Sequence, residues 1–565
     1  MSAEARAFVE LGAPTAQSTA GRIPLGPFLA LTLLLPVIIV VGNFLIAVLT
    51  PITAGFNDDM ILIDHVWRLV QGQYLGIDFH NPYGFGLPEV AAILWRLLGP
   101  HYYIIRASVD LFAIVITLCG ATVAARQLRD AAGLAALFCV TVAFVGSGPS
   151  LYGMNQYFGL ACVYDRTLMA GLLVLFLQSF ANDVNARPER SYIDYLIAAI
   201  LLNIIFLVKI SGLVIGLAIV VVGSILRGPF WRSLVGIFWV LLFFSAMVVV
   251  DFVVTGNSLS GILEEYRMAA QGRVGAISVL DVLWFSRRLP VLGVVVLMVL
   301  YTVSRASTEG GKDPFWRCCC IIAFYWLCEV VLNMSNSSAP DLIFLAPAAA
   351  AAIVTWTDTP HIASFWDRLW TRVHIRRLNE ISARQLIPLL ILTLVLVPEV
   401  LGSFRAIKLA YLVSTNNGKT ITVSANDGIK LEILKDTYGS LLVPYVDHGI
   451  QAVKGLGASR EKIANLDLGN PFPALFLAPD PKGVWVWWWF GKATNVPVGY
   501  RPSWQEVIGD ACIVVGPKQV SEDVSGPLLK AVEPHLATAF TIAYEDELLR
   551  IWKRKDGCGA TSSQI

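Results

Sequence analysis

Residues 55–99 read GFNDDMILIDHVWRLVQGQYLGIDFHNPYGFGLPEVAAILWRLLG, a polar insert in an otherwise apolar chain. Asp58 and Asp59 follow directly on the first long apolar run, near residues 27–50. Asp64, His65, Asp78, His80, Asn81, Tyr83 and Glu89 come soon after. Holding ionisable groups beside lipid is costly, so a membrane protein places them there chiefly for function. What surrounds this insert decides both the fold and the candidate site.

The chain has 565 residues, of which 56% are hydrophobic and 15% charged, with a mean hydropathy of +0.65. A soluble domain carries about 25% charged residues, so this composition implies a bilayer. A net charge of +1 gives no case for a nucleic-acid partner. Residues 1–24 are polar, contain Glu4 and Glu10, and lack the basic start and small-residue cleavage site of a signal peptide. Leu25–Thr50 therefore reads as a retained first span behind a cytoplasmic tail.

Working outward, apolar stretches able to cross a core of about 30 Å fall near 27–50, 104–125, 132–147, 160–180, 193–208, 211–226, 233–254, 289–304, 317–333, 340–356 and 387–404. As a single helix, 193–226 would run to about 50 Å, too long for the bilayer, so a break is expected at Lys209–Gly212. The count is then about eleven spans. With the N-terminus in the cytoplasm, the inner loops carry Arg126/Arg129, Arg187/Arg190, Arg227/Arg232, Arg305/Lys312/Arg317 and Arg368/Arg372/Arg376/Arg377/Arg384. The outer loops are nearly free of base or mix both signs, as the positive-inside rule requires. An odd count places 405–565 outside, in the periplasm of a Gram-negative host.

Residues 405–565 change character. Strand-like runs occur at Lys419–Ser424, Ile463–Leu468 and Ala511–Gly516, helix-like periodicity at Gly428–Tyr438 and Ser525–Val532, and a closing strand pair at Ala539–Lys553. The expected architecture is an α-helical polytopic membrane protein over 25–404, with an amphipathic first outer loop at 51–103 and a C-terminal soluble α/β domain. Of nine cysteines, Cys119, Cys139, Cys162 and Cys328 lie inside apolar runs and read as small buried hydrophobes. Cys318–Cys320 point in successive directions round a helix, which rules out a metal site; packing explains them better than acylation. Cys512 and Cys558 can pair if their domain lies outside the cytoplasm.

Within the insert, Met60, Ile63, Trp67 and Val70 share one helical face, Asn57 suits an N-cap, and Gly72 suits the residue past the end. Asp58 and Asp59 then have two readings. They complement the helix dipole in its first turn, or they are chemical groups on the outer lip of the first span.

The insert resembles the first outer loop of GT-C superfamily glycosyltransferases, in the branch related to the protein O-mannosyltransferases (family 39-like). The matching residues are Asp58-Asp59, Leu69-Val-Gln-Gly72-Gln-Tyr74-Leu-Gly-Ile-Asp78-Phe79, Pro82-Tyr83-Gly84 and Leu98-Gly99-Pro100, with the Gly72–Asp78 spacing slightly longer than the commonest form. The likeness covers about 50 residues closely and the multispan layout loosely. It implies sugar transfer from a polyprenyl-phosphate-linked donor to a lipid or envelope-glycan acceptor at the outer face of the bacterial inner membrane. Such a reaction needs a carboxylate base for the acceptor hydroxyl and charge stabilisation for the departing phosphate. In the family an acid of the post-span pair is the base or helps hold a divalent cation, so Asp58 or Asp59 inherits that role. The Asp-Asp form leaves open which acid acts and whether a metal is used.

A donor phosphate wants fixed cations near the outer interface. Lys209 is one candidate, against ordinary snorkelling; Arg166 is another, against a local pair with Asp165. Arg267, Arg273, Arg287 and Arg288 are weaker. Intramembrane Glu329 reads either as a helix–helix hydrogen bond or as a catalytic acid. His80 and Asp78 could ligate a metal, though structural hydrogen bonding explains them better. In the Trp485–Phe490 cluster, Trp487 and Trp489 are candidates for stacking on a sugar, against interfacial anchoring or core burial. The competing reading is a non-catalytic membrane protein of the same architecture. A transporter would bind at mid-bilayer with paired broken helices, whereas these polar groups cluster at one edge; a degenerate glycan-assembly partner would keep the layout without the chemistry. A glycan ligase would lean on a large late outer loop, and 334–340 is too short for one.

Overall fold

The computed structural model describes residues 25–49, 52–53, 56–81, 84–128, 132–148, 160–182, 191–274, 289–309, 312–335, 345–357, 383–415, 420–425, 429–434, 442–488, 490, 499–518 and 524–557. Each apolar stretch marked out above holds a helix among the described residues: Leu25–Leu49 with a π turn at Ala30–Leu34, Tyr103–Gln127, Ala132–Ser147, Leu160–Phe180, Tyr192–Val208, Ile210–Arg227, Phe230–Thr255, Leu289–Glu309, Lys312–Ser335, Ala346–Thr357 and Ala383–Ser414. Among the described residues, 6 helices are long and apolar enough to cross a membrane, while Ala132–Ser147, Tyr192–Val208, Leu292–Val303 and Ala346–Trp356 are apolar but shorter. Phe230–Thr255 turns Trp231, Val253 and Val254 outward, each about three-quarters exposed. In water such a face would be an aggregation surface; against hydrocarbon it costs nothing.

The break foreseen from length is present. One helix ends at Val208, Lys209 is extended (φ −163°, ψ 124°), and the next starts at Ile210. The inner-loop bases at 368–377 and the outer connection at 149–159 lie outside the described residues.

The C-terminal domain is built on a four-stranded sheet in the order β5 (Ile463–Asn465), β7 (Ile513–Pro517), β9 (Leu549–Arg554), β8 (Phe540–Glu545). β5 and β7 are parallel, and β9 runs antiparallel to both β7 and β8. Helices Val443–Gly455 and Ser525–Ala539 accompany this sheet. The closing strand pair and the helix from Ser525 match the sequence pattern. The helix expected at 428–438 is corrected: Leu431–Leu434 is strand β4, antiparallel to β3 (Thr420–Val423). Ile429 and Leu431 are fully buried and flank the exposed Lys430, the two-residue period of a strand.

Two short strands join the loop at 51–103 to this domain. β1 (Ile52–Thr53) pairs in parallel with β4, and β2 (Phe79–His80) in parallel with β6 (Val484–Trp485). The acid-rich segment is thereby hydrogen-bonded to the C-terminal domain near both of its ends, before Phe56 and at Phe79–His80.

Candidate active site

Helix Phe56–Val70 carries both acids in its first turn. Asp58 lies in this helix, and its side chain is outside the described residues. Asp59 is fully buried, and the Tyr102 hydroxyl donates to its Oδ2 at 2.8 Å. A carboxylate that merely complemented the dipole at a wet helix end would not be taken out of solvent. Tyr102 stands just before the span Tyr103–Gln127, so the hydrogen bond joins the acid-bearing helix to the top of a second membrane helix.

The helix foreseen from the spacing of Met60, Ile63, Trp67 and Val70 is present, but it is buried nearly all round: residues 59–66, 68 and 69 are buried, whereas Trp67 and Val70 are only half-buried. Met60 and Ile63 are buried, and Trp67, half-buried, packs on Trp95 at 5.7 Å between ring centroids. Gly72 has φ +78°, the left-handed turn that ends the helix. Beyond it, Gly84 reaches the broken helix pair: a Cβ there would stand 2.0 Å from the Val208 carbonyl oxygen. Only a glycine lets the loop sit so close. Phe85 completes the seat, meeting Phe206 and Phe252 at 5.9 and 5.3 Å. The loop that carries the acids is thus built onto the residue preceding Lys209. Pro82 and Tyr83 lie outside the described residues.

Most of the remaining polar groups of the loop make structural joints. Asp78 accepts from Lys482 Nζ at 2.9 Å and from the Tyr74 amide at 3.0 Å. His80 Nδ1 meets Glu265 Oε1 at 2.9 Å, and the Asn81 amide donates to the other oxygen at 3.3 Å. Burial pushes Glu265 up to about 7 against the pull of His80. Glu89 accepts from Asn257 at 2.6 Å. His65 is buried and held neutral, down to about 3, by desolvation and by Arg68. Asn81 Nδ2 donates to its Nδ1 at 2.9 Å, which fixes the tautomer with the proton on Nε2. Arg68 stands between two buried carboxylates, Asp64 at 3.1 Å and Asp480 at 3.2 Å. Among the described residues no group of three or more His, Cys, Asp or Glu side chains could hold a metal ion, so Asp78 and His80 do not form a divalent-cation site with them.

The cation candidates divide differently from expectation. Lys209 Nζ pairs with Asp165 at 3.0 Å and remains partly accessible. Arg166 does not pair with Asp165. It is buried, donates to the Val145 and Phe144 carbonyls at 2.9 Å, and forms an ion pair with Glu399 of the last membrane helix. Neighbouring side chains on a helix diverge, which separates the two partners. Arg166 is thereby committed to binding helices together. Arg267 pairs with Glu264 on the surface; Arg287 and Arg288 lie outside the described residues, as does the side chain of Arg273. Glu329 accepts from the Leu345 amide at 2.6 Å, the helix-joining role.

Trp487 is 6% exposed and belongs to the domain core, so it forms no open stacking platform; Trp489 lies outside the described residues. Trp485 packs on His80 and on Trp488. Cys512 is disulfide-bonded, while Cys119, Cys139, Cys318, Cys319, Cys320 and Cys328 are free; Cys558 lies outside the described residues. Sequence reasoning passed over Tyr102, Gly84 as a seat, Glu399 and Asp480. Tyr102 had no local signal, since it stands in a His101-Tyr102-Tyr103 run with no periodic context.

Two solved structures are similar to this chain. One is ArnT from Cupriavidus metallidurans bound to undecaprenyl phosphate, at a TM-score of 0.45 and 14% identity, covering 94% of this chain and 97% of that one. The other is ArnT from the same organism in the apo state, at a TM-score of 0.43 and 14% identity, covering 97% and 98%. No family model and no curated protein matches the sequence.

Proposed function

We propose that the chain is an integral-membrane glycosyltransferase that moves a sugar from a polyprenyl-phosphate-linked donor to a lipid or envelope-glycan acceptor at the outer face of the inner membrane. The observation that carries this reading is the buried Asp59 carboxylate beside the membrane, held by Tyr102 on a loop seated against Val208. A general base for an acceptor hydroxyl has to be an oriented carboxylate, shielded from bulk water. Asp59 is that group, with Asp58 beside it in the same turn. Lys209, next to the loop's seat and partly accessible, is the cation for the departing phosphate. Its pair with Asp165 keeps it oriented and exchanges for phosphate when donor arrives. Asp78, His80 and Glu89 are scaffold in this reading, because each is already spent on a joint.

The test is sugar transfer by the purified full chain with Asp58 and Asp59 both changed to Asn. The expected result is a loss of turnover of at least about a thousandfold, with membrane insertion and thermal unfolding unchanged. Full activity in that variant overturns the reading.

A further inference from the structure

A dense set of hydrogen bonds fastens the acid-bearing helix and the turn after it to residues 478–486 of the C-terminal domain. Trp67 Nε1 and Gln71 Nε2 donate to the Ala478 carbonyl at 2.8 and 2.7 Å. Gln71 Oε1 accepts from the Asp480 amide at 2.9 Å, and Gln73 Nε2 donates to the Asp480 carbonyl at 3.1 Å. Arg68 Nη1 donates to the Pro481 carbonyl at 2.6 Å. Further along, the Gly483 and Val486 amides donate to the Asp78 and His80 carbonyls at 2.6 and 2.9 Å. Backbone groups that would normally pair within one domain are thus read by side chains of the other.

At the centre of this grip the charges do not balance. Arg68, Asp64 and Asp480 have side chains 1%, 0% and 0% exposed, so one cation faces two carboxylates without solvent. Two buried carboxylates beside each other cannot both stay ionised at low cost. The other charged groups around them are already engaged. On the same helix, Asp59 takes the Tyr102 hydroxyl and His65 is neutral. On the following turn, Asp78 pairs with Lys482, while His80 meets Glu265 from helix Leu259–Val274. On the domain side, Asp510 accepts from the Lys482 amide and pairs with Lys462.

We infer that Asp480 and Asp64 share one proton over Arg68, and that this protonated clamp docks the C-terminal domain so as to hold the helix carrying Asp58 and Asp59 in its working position. Burial raises both carboxyls above the usual aspartate range, against the opposing pull of Arg68, and Asp64 raises Asp480 further. A raised acid favours the docked state at low pH, and that contribution disappears as pH climbs through the raised value. The clamp is therefore intact on the acid side and loosens on the alkaline side. Asp480 is a positioning residue here, not a catalytic one, and its role in turnover rests on the transferase reading above.

Asp480→Asn supplies permanently what the shared proton supplies, an N–H toward Asp64 and an oxygen toward Arg68. Asp480→Ala leaves Arg68 and Asp64 without the second partner. The experiment measures protection factors of the Asp480, Gly483 and Val486 amides by hydrogen exchange in the full chain, from about pH 6 to about pH 9. Amides of β7 serve as the control for folding. The wild type should lose protection about tenfold or more toward alkaline pH, Asp480→Asn should stay flat, and Asp480→Ala should be weakly protected throughout. Transfer turnover should follow the same three profiles, with the KM for donor unchanged. A flat wild-type profile, or an Asn variant that still titrates, overturns the shared proton. Protection that changes while turnover does not overturns the positioning role. Protection as expected with no turnover in any form leaves the clamp standing and refutes the transferase reading instead.

Discussion

Tyr102→Phe removes the hydrogen bond by which the phenol holds the buried Asp59 carboxylate. The substitution removes a single oxygen, keeps the ring, and leaves the top of helix Tyr103–Gln127 packed as before. What is lost is a 2.8 Å hydrogen bond to a fully buried carboxylate. A hydrogen bond to a charged group is worth about 1.5–3 kcal/mol, and leaving its acceptor buried tends to the upper end of that range. At about 1.4 kcal/mol per tenfold, turnover should fall between about 10-fold and about 150-fold. The deficit should be largest at acid pH, where a base deprived of its donor is first lost to protonation. The assay is single-turnover sugar transfer from a short-chain polyprenyl-phosphate sugar over a pH series. Donor binding is followed separately, so that loss of the base is resolved from loss of donor affinity. Combining Tyr102→Phe with Asp59→Asn should then add almost nothing to the Asn variant alone, since both remove the same interaction. A Tyr102→Phe enzyme within about twofold of wild type across the series would refute the reasoning. So would additive losses in the double variant.

Two further outcomes follow from the site's supports. Gly84→Ala places a methyl group 2.0 Å from the Val208 carbonyl oxygen; the loop must lift away, and thermal inactivation in detergent should show a loss of about 1–3 kcal/mol together with reduced turnover. Glu265, pushed up to about 7 by burial, stabilises the folded state below the ordinary glutamate range and loses that contribution as pH rises through about 7; Glu265→Gln should flatten the melting temperature over this interval, and an unchanged slope would show that the joint to His80 does not titrate there.

The parts of this fold that the sequence disclosed are those whose cause is local. Length alone required the break at Lys209, and the spacing of Met60, Ile63, Trp67 and Val70 gave the acid-bearing helix, though not that it is buried nearly all round. Gly72 marked where that helix stops. What stayed hidden depends on partners far away in the chain. Strands β1 and β2 are two residues each, too short for any period to register, and they exist because β4 and β6 lie alongside. The i,i+4 spacing of Asp64 and Arg68 is visible by inspection, yet nothing near it announces Asp480 as the third member. Adjacency misled at Asp165-Arg166, where Asp165 pairs with Lys209 at the break between two helices and Arg166 with Glu399 on another helix. At 428–438 the apolar residues fit two periods at once, and pairing with β3 settled the matter for the strand.

The density of acids and histidines in residues 55–99 therefore has a divided explanation. A loop that must bind the C-terminal domain on one side and apolar helices on the other cannot do so with apolar contacts alone, because its backbone and its neighbour's both need partners. Asp78, His80, Glu89 and Gln71 answer that need by fixing chain to chain. Asp64 and Arg68 answer it at the domain contact. Once those groups are assigned, a carboxylate remains at the membrane end of the same helix, buried against a phenol rather than used to join the domain. The scaffold is what makes that group useful. A base must be held to within a fraction of an ångström of its proton, and a helix clamped to Asp480 through Arg68, and followed by a loop seated on Val208 and Glu265, provides such rigidity. The same fastening makes the reading vulnerable in a definite way: any variant that frees the domain without touching Asp59 should slow transfer, and a freed domain with undiminished transfer would leave the acid-bearing helix without its mechanical role.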